Sequence, residues 1–178
     1  MIRTLCAAAA ALMLSACGAE NAAKTGDGSE SATSSERLMA RVTTRQDTLN
    51  AEQRAELEGV LRQYLDDYAS NLAQGFQPAP GFSDEIAPLQ PLEEHTWRVN
   101  LERGVSYRII GACDNECDNV DLRLFDASGA ELASDVMADD YPLVNITPAS
   151  AGPHDVRIIL KTCTIAPCYV AARVLRAG

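Results

Sequence analysis

Four cysteines in the C-terminal half of the chain have the spacing of either disulfides or a metal site. Three residues separate Cys113 from Cys117, and four separate Cys163 from Cys168. Two close pairs of thiolates can hold zinc, although zinc sites usually use C-x2-C pairs. In an oxidising compartment an even number of cysteines favours disulfides. We therefore predict the local pairs 113–117 and 163–168, with the other pairings and a zinc site as alternatives.

Acidic residues crowd two segments of the same half. Carboxylate oxygens are ligands that Ca2+ prefers, so the first segment is a weak candidate for a calcium site. It does not fit an EF-hand loop, because Asn119 and Phe125 stand where that loop needs glycine and glutamate. Asp and Asn also favour turns, which is the interpretation we prefer. The first segment contains Asp114, Glu116, Asp118 and Asp121, and the second contains Asp135, Asp139 and Asp140.

Residues for catalysis are scarce. His95 and His154 are the only histidines, and neither belongs to an H-E-x-x-H zinc motif or accompanies a G-x-S-x-G nucleophile motif. His154 follows Pro153 at the start of a predicted strand, where we expect it to face solvent. The sequence therefore predicts a protein that is not an enzyme and has no cofactor other than the possible Ca2+.

The first twenty residues indicate export. Arg3 precedes an uncharged run, 5–14, which is too short to span a bilayer and is typical of a secretory signal. The following Leu-Ser-Ala-Cys-Gly, 14–18, resembles the lipobox of bacterial lipoproteins. The resemblance implies cleavage after residue 16 and fatty acyl chains such as palmitate on Cys17, which together anchor a protein stably. It also implies the outer membrane facing the periplasm, because Gly18 replaces the aspartate that retains lipoproteins at the inner membrane. An ordinary signal peptide is the alternative.

The charge of the chain restricts its partners. The net charge is −10, and loss of Arg3 with residues 1–16 makes it −11. Such an acidic chain is a poor ligand for nucleic acid and for anionic lipid. We therefore expect membrane attachment through the acyl chains alone.

Three segments precede the folded domain. Residues 17–36 have no apolar residue larger than alanine and predict a disordered tether. In the helical segment, 37–76, Asn50 and Gln53 form a capping-box pattern and Gly75 is a stop. Prolines at four positions predict a linker and domain boundary over 77–91. An apolar stripe on the helix, more typical of packing on the neighbouring domain than of partner binding, consists of Leu57, Leu61, Tyr64, Tyr68 and Leu72.

Residues 92–178 alternate apolar and polar side chains in several short runs separated by glycine-containing turns. About seven short strands without a long helix between them predict a small antiparallel β-sandwich. The apolar positions of these runs are 97, 99 and 101; 105, 107 and 109; 120, 122 and 124; 156, 158 and 160; and 170, 172 and 174.

Three stretches of this domain resemble the bacterial pre-peptidase C-terminal domain. They are Gly104–Gly111, Asp118–Asp126 with the turn at Gly129, and Ile146-Thr-Pro followed by Ala151–Ile158. The resemblance implies a jelly-roll-like sandwich that serves as an accessory module of exported proteins. The four cysteines depart from the common pattern of that family.

The predicted function is therefore that of a lipid-anchored envelope protein that presents a β-sandwich to an envelope protein or glycan. One alternative is a structural accessory subunit of an envelope complex that acts through the 50–72 helix. A calcium-binding module is the other.

Overall fold

The computed structural model describes residues 31–178, which form one compact unit. The predicted signal, Cys17 and most of the predicted tether lie outside the described residues. The unit is mainly β, with antiparallel sheets and two helices, which confirms the predicted fold class. Within 31–178, neither helix is both long and apolar enough to cross a membrane.

Two helices and eleven strands follow one another within residues 31–178. They are α1 (Ser34–Thr43), β1 (Arg45–Gln46), α2 (Ala51–Leu72), β2 (Phe76–Pro78), β3 (Glu85–Leu89), β4 (Glu94–Leu101), β5 (Tyr107–Cys113), β6 (Cys117–Asp126), β7 (Glu131–Asp135), β8 (Leu143–Ile146), β9 (Gly152–Cys163), β10 (Ile165–Ala166) and β11 (Cys168–Ala177).

The sandwich consists of two sheets. One has the strand order β4-β9-β6-β7, and the other β2-β11-β5-β8. Strand β3 also pairs with β11, through residues 168–172, whereas β2 pairs with residues 175–177. Strand β11 is thus bonded to β5 on one edge and to β2 and β3 in succession on the other.

Every second side chain of the predicted alternating runs lies between the two sheets. Val120, Leu122 and Leu124 of β6 are fully buried in the inner core, and Val170 and Val174 of β11 join them. Period-two alternation buries one face of a strand, so these runs confirm the sequence prediction.

Helix α2 covers the outer face of the five-stranded sheet. It begins at the predicted cap, where the Asn50 side chain accepts the Gln53 N–H (2.9 Å) and the Gln53 side chain accepts the Asn50 N–H (3.0 Å). Its Leu61 and Leu65 are fully buried against alternate residues of β5 and β11, including Ile110 and Leu175. The apolar stripe therefore packs on the domain, the interpretation favoured from sequence. Leu72, at the end of the stripe, is 40% exposed.

Two predicted boundaries are wrong. The tether was expected to reach residue 36, but α1 starts at Ser34 because Thr33 and Glu36 form a capping box. The Pro-rich segment 77–91 is no linker, since it supplies part of β2 and all of β3. Prolines are tolerated on edge strands at positions where the backbone N–H would face away from the sheet, because the donor that proline lacks is not needed there.

Candidate functional site

Both predicted disulfides are present, and they lie at one end of the sandwich. Cys113 is bonded to Cys117, and Cys163 to Cys168. Each bridge is local in sequence yet joins a strand of one sheet to a strand of the other. Cys117 and Cys163 are also register partners on β6 and β9. The two bridges therefore fasten the sheets together at this end, which we call the stapled end.

The loop closed by the first disulfide is held by a buried carboxylate. Asp114 is only 5% exposed, and its Oδ2 accepts the backbone N–H of Tyr169 at 2.6 Å. Its Oδ1 accepts the Glu116 N–H at 3.2 Å. Burial raises the pKa of Asp114, and the two backbone N–H groups partly oppose that rise. Asp114 thus ties the loop to β11.

The chain between the two helices, residues 44–50, crosses the stapled end and is called the crossing segment. Strand β1 pairs in parallel with β10, and the Asp47 N–H continues this pairing to the Ala166 carbonyl at 2.9 Å. The side chains of Gln46 and Gln90 exchange two hydrogen bonds, of 2.9 and 3.0 Å. This crossing segment is therefore bonded to two other parts of the chain, β10 and Gln90, before α2 begins at Ala51.

Two cavities flank the crossing segment, one of about 270 Å3 and one of about 350 Å3. Both are lined by Asp47, Leu49 and Pro167, so the two cavities adjoin along these residues, and we call the pair the stapled-end groove. The smaller cavity is completed by Leu57, Asp114, Asn115, Glu116 and Ile165. The larger one is completed by Thr48, Arg54, Glu58, Ile86, Pro88 and Tyr169.

The groove combines apolar walls with acidic groups. Its acidic residues are Asp47, Glu58, Asp114 and Glu116, against one cation, Arg54. The carboxylate of Asp114 is already bonded to backbone N–H groups, whereas Asp47 and Glu116 are exposed. Grooves with apolar walls and a few polar groups are typical of binding sites. The charge favours a ligand that carries basic groups.

The four acidic residues proposed for calcium do not converge. Among residues 31–178 the structure groups no three Asp, Glu, His or Cys side chains in a metal-binding arrangement. Asp118 is exposed, and the Glu116 side chain accepts the hydroxyl of Thr164. Burial raises the pKa of Asp121, an effect that Lys161, 3.4 Å away, partly offsets. Calcium binding stays a prediction.

The second acidic segment forms turns. Asp135 accepts the backbone N–H groups of Met137 (3.2 Å) and Leu143 (2.9 Å). Asp139 accepts the Tyr141 N–H at 3.4 Å. These bonds agree with the turn interpretation preferred from sequence.

The prediction for His154 is wrong. It lies at the start of β9 as expected but is 5% exposed, and its Nδ1 lies 3.0 Å from the Gly152 carbonyl oxygen. The reason is its place in the alternation, because His154 has the same parity as the buried Val156 and Ile158. His95 lies on β4, which pairs with β9, and is opposite Ile158. Its Nε2 is 3.3 Å from a carboxylate oxygen of Glu85, and its ring stacks on Trp97.

The sequence interpretation missed the crossing segment, which it placed within the helical segment 37–76. A signal was present, because Asn50 as an N-cap requires the residues before it to be non-helical. The N-cap pattern does not indicate that Asp47 and Leu49 line the same cavity as Pro167. That contact depends on the pairing of β1 with β10, two strands of two residues each.

Comparison with known proteins assigns no family. No family model matches the chain, and no curated protein does. Solved structures that resemble it include the glycosylation-associated protein (Gap123) complex of Streptococcus agalactiae, at 13% identity and a TM-score of 0.35. The match covers 59% of this chain but 40% of that one. Accessory secretory protein 1, 2 and 3 of Streptococcus pneumoniae matches at 15% identity and a TM-score of 0.32, over 59% of this chain and 87% of that one. Both likenesses are too low to support an argument about fold or function.

Proposed function

We propose that this protein is a lipid-anchored, non-enzymatic binding module of the bacterial cell envelope, and that it holds a segment of a partner protein in the stapled-end groove. The lipobox-like sequence before Cys17 supports the anchor, and Gly18 supports the outer membrane. The resemblance of residues 104–158 to the pre-peptidase C-terminal domain supports an accessory role.

The single observation that carries the binding proposal is the groove itself. Its volume is several hundred Å3, and its lining comes from four separate parts of the chain, residues 47–58, 86–88, 114–116 and 165–169. Two disulfides and the Asp114 hydrogen bonds hold its walls, so little order must be gained on binding. Asp47 and Glu116 match a partner segment with lysine or arginine next to apolar residues, whereas Glu58 is already paired with Arg62.

Site-specific photocrosslinking in intact cells tests the binding proposal. A photoreactive amino acid replaces Thr48, an exposed residue of the groove wall, or Ala127 as the control. Ala127 is also exposed, but it lies beyond the far end of β6, a strand of ten residues that is about 33 Å long. We expect a discrete crosslinked protein from position 48 and none from position 127. Equal products from both positions, or none from position 48, would refute the groove as the protein-binding site.

Charge reversal gives a second test with a matched control. Asp47→Arg places a cation in the groove, and Asp67→Arg makes the same change on an exposed position of α2 that does not line it. If a basic partner segment binds, Asp47→Arg should weaken crosslinking from position 48 by about tenfold or more, and Asp67→Arg should leave it unchanged. An equal effect of both variants would assign the loss to net charge.

The anchor is tested separately by Cys17→Ala. Without the thiol no lipid can be attached, so the protein should not be found as a cleaved, membrane-bound species. Labelling of the unmodified chain with a radioactive fatty acid should give the matching positive signal. A processed, membrane-bound Cys17→Ala protein would contradict lipid anchoring and would leave the groove proposal untouched.

A further inference from the structure

We propose that helix α1 lies on the membrane surface, with Leu38, Met39 and Val42 inserted among the lipids of the bilayer to which Cys17 is tethered. The inference goes beyond the proposed function and rests on it only for the tether. It makes α1 a second contact with the membrane, additional to the acyl chains.

The apolar side of α1 points away from the protein. Leu38, Met39 and Val42 are 60%, 61% and 65% exposed. They are the large apolar residues of α1, a helix of ten residues that is otherwise mainly polar. The partly buried residues of the helix are Arg37, Ala40 and Thr44 at its end. At about 100° per residue these two sets lie on opposite sides of the helix. An amphipathic helix of a globular protein normally turns its apolar side inward, so α1 is inverted.

The local charge suits anionic lipid. The whole chain is acidic, but residues 31–46 contain three arginines and one glutamate, a net charge of +2. Arg41, on α1, and Arg45, on β1 directly after it, are both exposed. Basic residues near a membrane surface attract anionic phospholipid headgroups. The expectation from net charge, that the chain avoids such lipid, therefore does not apply to this segment.

The position of α1 in the chain brings it to the bilayer. Fifteen residues, 18–32, lie between Cys17 and Thr33, the cap of α1. Even fully extended, a segment of this length spans no more than about 55 Å, so α1 stays within that distance of Cys17. A tether of this reach gives the helix a high effective concentration at the membrane, so even a weak interfacial interaction is populated.

The test uses the chain from Gly18 onward, which has no lipid and retains the whole compact unit of residues 31–178. Its binding to large unilamellar vesicles is measured by sedimentation. One set of vesicles is phosphatidylcholine, and the other contains about one quarter phosphatidylglycerol. We expect measurable binding to the anionic vesicles, weaker binding to the neutral ones, and a loss of the difference in 0.5 M salt.

The decisive variant is Leu38→Ser with Val42→Ser. It should reduce binding to anionic vesicles by about tenfold or more, because it removes most of the apolar side of α1. The matched control is Leu132→Ser with Val136→Ser, since these side chains are 42% and 53% exposed in and beside β7. The control should bind as the unchanged protein does. Circular dichroism and melting temperature confirm that both variants are folded.

Two results would overturn the proposal. One is equal vesicle binding by the unchanged protein and the Leu38→Ser, Val42→Ser variant. The other is a dimer in solution that this variant dissociates, which would assign the apolar side to a second copy of the chain. Neither result bears on fatty acid labelling at Cys17 or on crosslinking from the groove, so failure here is distinguishable from failure of the proposed function.

Discussion

The side chain of Arg173 is a sensitive point of the fold because it joins three parts of the chain. It lies on β11 and is 12% exposed. Its Nε and Nη2 donate to the two carboxylate oxygens of Asp84, at 2.7 and 2.8 Å, just before β3. Its Nη1 donates to Asp66 on α2. These bonds raise the pKa of Arg173, so the guanidinium is charged at every pH at which the protein is folded.

The two carboxylates should contribute unequally. Asp84 is 17% exposed and makes a bidentate contact, so Asp84→Asn leaves a nearly buried guanidinium without its main counter-charge. We expect a loss of about 2–4 kcal/mol in the free energy of unfolding. Asp66 is 70% exposed, where solvent screens the pair, so Asp66→Asn should cost less than about 1 kcal/mol. For a unit of this size the melting temperatures should fall by roughly 5–15 °C and less than about 4 °C, respectively.

Urea unfolding at neutral pH, followed by far-UV circular dichroism, measures both losses. The variant Arg173→Met with and without Asp84→Asn completes a double-mutant cycle, in which the coupling energy should exceed about 1 kcal/mol. If Asp66→Asn costs as much as Asp84→Asn, or if the coupling is near zero, burial does not determine the strength of these ion pairs and the reasoning fails.

Three further predictions concern the helix, the stapled end and calcium. Leu61→Ala should lower the free energy of unfolding by about 2–5 kcal/mol because Leu61 is fully buried, whereas Leu72→Ala, at a 40% exposed position, should cost less than about 1 kcal/mol in the same urea titration. Burial in the folded protein raises the pKa of Asp114 above its value in the unfolded chain, which is about 3.9. Protonation of Asp114 therefore stabilises the fold fully below that unfolded pKa, and this stabilisation is lost as the pH rises through the folded pKa. The difference in unfolding free energy between the unchanged protein and Asp114→Asn should therefore fall from pH 3.5 to pH 7, and a rise would mean that the N–H groups outweigh burial. Calcium binding predicts a higher melting temperature in Ca2+ than in EDTA, and identical melts would remove that alternative.

Much of the sandwich could be predicted from sequence because its strands have one inner face. Alternation found β4, β5, β6, β9 and β11, where every second residue meets the opposite sheet. Strands β2 and β3 could not be found in this way. They are short, they contain Pro78 and Pro88, and their place is fixed only by pairing with β11 far along the chain.

Two features were present in the sequence and were not used. Thr33 and Glu36 have the spacing of a capping box, which marks the start of α1. His154 shares its parity with Val156 and Ile158, which indicates an inward position. The stapled-end groove could not be predicted from any local sequence pattern. Its residues come from segments more than one hundred positions apart, and no local pattern brings Leu49 to Pro167.

Strand β11 also has a consequence for the order in which the molecule can be built. It is the last of the described strands to leave the ribosome, yet β2, β3 and β5 all bond to it and α2 packs on its outer face. None of these partners can complete its pairing while β11 is still unmade. Contacts of such long sequence separation also form slowly. The five-stranded sheet is thereby kept incomplete until β11 is made, a delay that would suit the export we propose for this protein.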